Sequence, residues 1–274
     1  VKESVITAQK KFISFEEYNA VDALRSSFLR NLASRSPAHA QLWAASSEGS
    51  AAMDLGTALH CAVLEPAKFA KQFVAMPKID RRTKEGKAEE ARMQAEFSHA
   101  TFLSADDMQR VRGMHAALLA HPIAQDLFFT AGESEVSIFW TRSGIPCKAR
   151  IDRLTRTKQF YAACDLKTTE DASPEGFARS VIKYGYHTQN AWYDEALSAI
   201  GERIDTFVFV AVESKPPHAV CCYVLDYGLL EVAKTEIDKA FRIYRECRKS
   251  NNWPAYPTDL QTIFCPAWLV DVAE

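Results

Sequence analysis

Two aspartates and a lysine within residues 147–169 are the groups in this chain best spaced for chemistry. The stretch reads CKARIDRLTRTKQFYAACDLKTT, two strand-like runs joined by a turn. Side chains alternate across a strand with period two, so Asp165 and Lys167 project from one face of the second run, together with Tyr161 and Ala163. Phe160, Ala162, Cys164 and Leu166 fill the other face. In the first run Asp152 shares its face with Lys148 and Arg150. If the runs pair as neighbours, Asp152 and Asp165 meet at one end of a sheet. Two carboxylates there repel unless a cation is shared between them, which points to a divalent metal. Such an ion can polarise a phosphodiester and activate water. A lysine on the same face can stabilise hydroxide or the charge developing on phosphorus. The competing reading is an ordinary cross-strand Asp–Lys pair, and spacing alone leaves that pair the commoner explanation.

The elements around this stretch can be read in order. Residues 1–14 are mixed and read as an arm. Short helices follow from Phe15 to Ala45, with a Ser cap and acids in the first turn of SFEEYNA, and the 26–36 run stops at Pro37. In MDLGTALHCAVLEPAKFAKQF, apolar residues recur at helical spacing, and Pro66 ends or kinks the helix. His60 lies one turn after Gly56, beside this stripe. A core histidine satisfied by a carbonyl and a site histidine are equally good readings, though a small Gly56 would let another backbone approach His60. Residues 78–90, KIDRRTKEGKAEE, read as a polar loop. It is either solvated or, through Arg81, Arg82 and Lys84, a phosphate-contacting segment. Residues 104–121 form a capped amphipathic helix ended by Pro122.

From Glu135 the period changes to strands: EVSIFW, CKARIDRL and FYAACDLK, with turns at Ser143-Gly144 and 156–158, predict an antiparallel meander. Glu135 alternates out of the apolar set and reads as a solvent-face glutamate in preference to a third acid of the site. Two helices come next, the first opened by Ser173-Pro174. In the second, Gln189 and Tyr193 lie four apart on one face. DTFVFVAVES and HAVCCYVLD are apolar on both faces and predict strands in the middle of a covered sheet. A long helix over 228–250 and a proline-broken aromatic tail packed across the surface complete the chain. The expected fold is α/β, a central mixed sheet flanked by helices with an N-terminal helical extension. We read 1–274 as one domain: 15–122 mainly helical, 133–250 the core, 251–274 the tail.

With 274 residues and 47% hydrophobic composition the chain can build a large core. Its net charge of −2 means that any basic surface is local. The seven cysteines are scattered without a CxxC pair, which fits reduced thiols and argues against structural zinc or an iron–sulfur cluster. No signal pattern and no apolar run near the ~18 residues of a membrane span occurs, so a cytoplasmic protein without membrane contact is expected. GxSxG, GxxxxGK[ST], strand-borne GxGxxG and HExxH are all missing. Cys164, on the face opposite Asp165, is a poor nucleophile.

A carboxylate on one strand, D-L-K on the next and Gln-x-x-x-Tyr on the following helix resemble the layout of the PD-(D/E)XK nuclease superfamily. Here these are Asp152, Asp165-Leu166-Lys167 and Gln189…Tyr193. Gly56-Thr-Ala-Leu-His60 is similar to the histidine-bearing helix of its RecB-type branch. With DLKTTEDASPEGFARSVIKYGYHTQNAWYDEAL and the WPAYP tail, the chain resembles the RecE-type (exodeoxyribonuclease VIII) nuclease domains from about Phe15 onward. One departure is Ile151 where the superfamily pattern carries proline. The resemblance implies that His60, Asp152, Asp165 and the Leu166 carbonyl ligate Mg²⁺, with Mn²⁺ substituting. It implies that Lys167 positions and activates the attacking water, and that Gln189 and Tyr193 hold the DNA strand. It further implies ATP-independent digestion of linear double-stranded DNA from 5′ ends, leaving 3′ tails for a RecT-type annealing partner, by a tetrameric ring. The alternative is a non-catalytic nucleic-acid-binding or assembly module of the same fold. Retention of both aspartates and the lysine favours the enzyme.

Overall fold

The structure, a computed structural model, describes residues 7–45, 51–80 and 82–265, with the backbone alone at 51–54. Where an arm was expected, β1 (Gln9–Lys11) joins the main sheet as an edge strand. Lys10 fastens it to Glu133 at 2.9 Å and Glu202 at 3.2 Å. The helix α1 (Phe15–Ala20) opens with a capping box: Ser14 accepts from the Glu17 N–H and Glu17 returns to the Ser14 N–H, a cap worth about 1 kcal/mol. After it come α2 (Ser26–Ser34), α3 (Pro37–Ala45) and α4 (Ala51–Leu64). Pro66 stands in the first turn of a new helix, α5 (Pro66–Gln72), instead of kinking the old one.

The strand β2 (Phe73–Met76) and, later, β3 (Thr101–Ser104) form a small parallel pair. Between them the stretch expected as a loop through residue 90 becomes helical from Lys84, in α6 (Lys84–Glu96). Thr83 caps it by accepting from the Gly86 N–H at 2.9 Å, and Arg92 ties the outer face to Glu89 and Glu96. Polarity had hidden a helix stabilised by its cap and its i,i+3 and i,i+4 pairs. Ser104 caps α7 (Ala105–Ala120), and Pro122 opens α8 (Pro122–Phe128).

The centre is a hairpin of β4 (Gly132–Arg142) and β5 (Ile145–Arg156). Its two-residue turn is left-handed at both positions, φ 47° at Ser143 and 79° at Gly144, the handedness that matches strand twist. β6 (Tyr161–Thr169) completes the antiparallel meander. The helices α9 (Pro174–Tyr184) and α10 (Tyr186–Ala199) then cross over, so β7 (Thr206–Glu213) lies parallel to β6. The last strand, β8 (Val220–Tyr223), returns antiparallel, and α11 (Tyr227–Ser250) closes the fold. Strand order is β1-β4-β5-β6-β7-β8. Of the two apolar strands expected in mid-sheet, β7 is internal, whereas β8 is a half-buried edge.

Helices cover both faces of this mixed sheet. Trp140, Trp192, Phe177 and Phe209 pack one side among α2, α9, α10 and α11. Leu59, Met114, Leu118 and Leu166 pack the other, beneath α4, α7 and α8. Trp192, fully buried, also donates Nε1–H to the Lys148 carbonyl at 3.0 Å. In the described part of the tail, Trp253 packs on Phe28 and Tyr244, while Leu260, Ile263 and Phe264 are exposed. No helix among the described residues is long and apolar enough to cross a membrane.

Candidate active site

The ladder between β5 and β6 ends at Arg153–Cys164, so Asp152 and Asp165 stand one step beyond it, where the strands part. That opening frees backbone groups for side chains. Asp152 Oδ2 accepts from the Leu166 N–H at 2.8 Å. Desolvation, and then the charge of Asp165, push the Asp152 carboxyl up to about 7. The buried Asp165 accepts from Gln189 Nε2 at 2.7 Å through Oδ1. The ammonium of Lys167 lies against Asp165 Oδ2, but off hydrogen-bond geometry, and this buried oxygen has no hydrogen-bond donor.

The helix α4 brings His60 to the same place. Its Nε2 lies 2.7 Å from the Leu166 carbonyl and its Nδ1 lies 3.4 Å from Asp152 Oδ2. A carbonyl only accepts, so Nε2 carries the proton. In a neutral ring Nδ1 then presents a lone pair to a carboxylate oxygen. A proton or a metal ion between them removes that repulsion. The Asp165 oxygen that meets only the Lys167 ammonium, and the facing His60 and Asp152 lone pairs, fit a divalent cation; the carboxylate oxygens suit Mg²⁺ or Mn²⁺, while the imidazole alone favours softer ions. In such a site the Leu166 carbonyl, expected as a ligand, fixes the ring through its far nitrogen. Gly56 plays no part in the approach: a Cβ there would meet only Thr168 Oγ1 at an ordinary 3.6 Å.

Burial pulls the Lys167 ammonium down, but Asp165, Asp152 and Tyr186 outweigh it and leave the group above its ordinary value. Lys167 also donates to Gln189 Oε1 at 3.0 Å and lies 4.5 Å from the centre of the Tyr186 ring. Gln189 gives its remaining Nε2–H to the Tyr193 hydroxyl at 3.0 Å. Tyr193 is buried against Phe207, and burial raises its phenol well above the ordinary range. Gln189 and Tyr193 thus belong to the polar network that fixes Asp165 and Lys167.

A cavity of about 640 Å³ opens over these groups, lined by His60, Asp152, Lys167 and Gln189. The N-terminal helices add Arg25 and Arg30 to its wall. Gly185, left-handed at φ 64°, joins α9 directly to α10, and a Cβ there would strike Arg30 Cδ at 2.6 Å. Lys148, one of the cavity's walls, donates to the carbonyls of Tyr18, Asn19 and Val21 at 2.9, 3.3 and 2.6 Å. Burial lowers its pKa to about 8. Of the proposed phosphate-contacting residues, Arg81 lies outside the described residues. Arg82 is paired with Asp80 and Lys84 is exposed; neither lines the cavity.

Glu135 corrects the sequence reading. It is a cavity residue, part-buried and ion-paired with Arg150. Its backbone is left-handed, φ 56°, a conformation that costs a non-glycine residue on the order of 1–3 kcal/mol. The signal that could have found it is register. Glu135 and Asp152 stand equally far from the Ser143-Gly144 turn, hence opposite each other.

The PDDEXK-like domain of unknown function (DUF3799) matches residues 25–263. The chain belongs to this family. Its fold is similar to that of a candidate exonuclease from Eubacterium rectale, with TM-score 0.62 and 13% identity over 96% of this chain and 98% of that one. A phage-related exonuclease from Haemophilus somnus 129PT aligns over 86% of this chain and 100% of its own, at 12% identity and a TM-score of only 0.37. No curated protein matches the sequence. Family membership supports a nuclease hydrolase of the PD-(D/E)XK superfamily, a class generally dependent on divalent metal.

Proposed function

We propose that this protein is a Mg²⁺-dependent exodeoxyribonuclease acting on the ends of linear double-stranded DNA. The observation that carries this reading is the convergence of Asp152 on β5, Asp165 and Lys167 on β6, His60 on α4 and Gln189 on α10 at one cavity. His60, Asp152 and Asp165 would hold the ion, Mn²⁺ being an alternative, with the Leu166 carbonyl orienting His60 or adding a ligand. When bound, the cation polarises the scissile phosphate and lowers the pKa of water.

The chain's own groups supply the rest. Lys167 remains an ammonium, so it orients water and offsets charge on the phosphate by donation, without acting as a free base. Gln189 bridges Lys167 and Asp165 and holds their spacing, and Tyr193 props Gln189 from below. Arg25 and Arg30 give the wall positive charge toward a phosphate backbone. A cavity of about 640 Å³ is of small-ligand size, which suits the end of one strand. Arg82 and Lys84 would contact phosphates of the duplex outside it.

The likeness to RecE-type nucleases extends the proposal to 5′→3′ polarity without ATP, 3′-tailed products, a RecT-type annealing partner and a tetrameric ring. The test is digestion of a long linear duplex labelled at one end, with Mg²⁺, by wild type, Asp165→Ala and Lys167→Ala. Loss of the 5′-ended strand in the wild type alone is the expected result. Equal cutting by the variants would overturn the site assignment. A wild type that binds DNA without cutting it would favour the non-catalytic module.

A further inference from the structure

Glu135 lies outside the ligand set that the resemblance supplies, yet its carboxylate reaches the same point. It sits on β4 between the ladder pairs Ser134–Arg153 and Val136–Ile151, opposite Asp152. Donor atoms of His60, Asp152 and Glu135 all fall within 4.8 Å of one another. Two donors on one ion can stand no farther apart than twice the bond length, about 4.2 Å for Mg²⁺ and about 4.8 Å for Ca²⁺. At separations of up to 4.8 Å the triad spans Ca²⁺ as it stands, and it closes on Mg²⁺ or Mn²⁺ when the donors move inward by up to about 0.6 Å. Asp165 is already engaged by Gln189 and Lys167. Arg150 aims the Glu135 carboxylate and is itself held by the Ile13 carbonyl and the Ser137 hydroxyl, both at 2.9 Å.

We infer that Glu135 is a ligand of the divalent metal, coordinating from β4 beside His60 and Asp152. The inference rests on reading the centre as a metal site. The competing role is a counter-charge for Arg150 alone.

Calorimetric titration with Mn²⁺, without nucleic acid, reads coordination independently of cleavage. Glu135→Gln leaves Arg150 its two other acceptors, so the fold should persist, and Mn²⁺ affinity is expected to fall at least about tenfold. Affinity within twofold of wild type would overturn the inference. Asp152→Asn is the control that separates the two levels. If it also leaves Mn²⁺ binding intact, the metal-site reading itself fails. If it abolishes binding while Glu135→Gln does not, only the role of Glu135 fails. Should Glu135→Gln unfold, Glu135→Cys decides by preference, because a thiolate ligand selects soft ions. A rise in Cd²⁺ over Mn²⁺ affinity relative to wild type supports coordination, and an unchanged ratio refutes it.

Discussion

Replacing Asp152 by Asn should abolish cleavage and yet stabilise the metal-free protein. Burial and the neighbouring Asp165 push this carboxyl up to about 7. The unfolded chain ionises the same group near its ordinary value of about 3.9. Between those two values the folded state binds more protons than the unfolded one. Stability therefore falls as pH rises through this window, and the full penalty stands above about 7. Three pKa units correspond to about 4 kcal/mol, an upper bound for what the charge costs at pH 8. Asn keeps an oxygen for the Leu166 N–H and offers its amide to Glu135 or His60. At pH 8 in chelator, thermal unfolding of Asp152→Asn is expected several degrees above wild type, since 1 kcal/mol moves a chain of this size about 2–4 °C. At pH 4 the two should melt together. Added Mg²⁺ should raise the wild type only. A variant less stable than wild type at pH 8 without metal would refute the reasoning and make Asp152 a structural residue.

Other outcomes follow from the same geometry. Mg²⁺ must displace the Asp152 proton, so affinity measured by calorimetry should rise about tenfold per pH unit below about 7 and level off above it; a flat profile from pH 5.5 to 7 would contradict this. Gln189→Ala strips Asp165 Oδ1 of its donor, so denaturant melts should show a loss of about 1–3 kcal/mol with kcat falling more than KM rises; an unchanged kcat would remove Gln189 from the site. Lys148→Met leaves the end of α1 without its donor and should cost about 1–3 kcal/mol with faster proteolysis before Leu24. Neutralising Arg82 and Lys84 together should lower the salt slope of DNA binding by up to about 0.9 for each phosphate left without its cation, and an unaltered slope would take both away from DNA.

The sequence by itself determined the meander, its tight turn and the face shared by Asp165 and Lys167, because strand period and turn chemistry act over a few residues. It also marked Ser14, Ser104 and Ser173 as caps, whose bonds close within three residues. Polarity concealed α6, whose stability is local but not apolar. The edge position of β8 was hidden because an apolar strand carries no record of how many neighbours pair with it. Only the tertiary structure set His60 against Leu166 and Asp152, a contact between elements with no common period. Only it filled the cavity wall with Arg25 and Arg30 from the N-terminal helices. Glu135 stands between these cases. Its place opposite Asp152 follows from counting outward from Ser143-Gly144, but its inward aim comes from a left-handed backbone and from Arg150, which strand alternation does not encode.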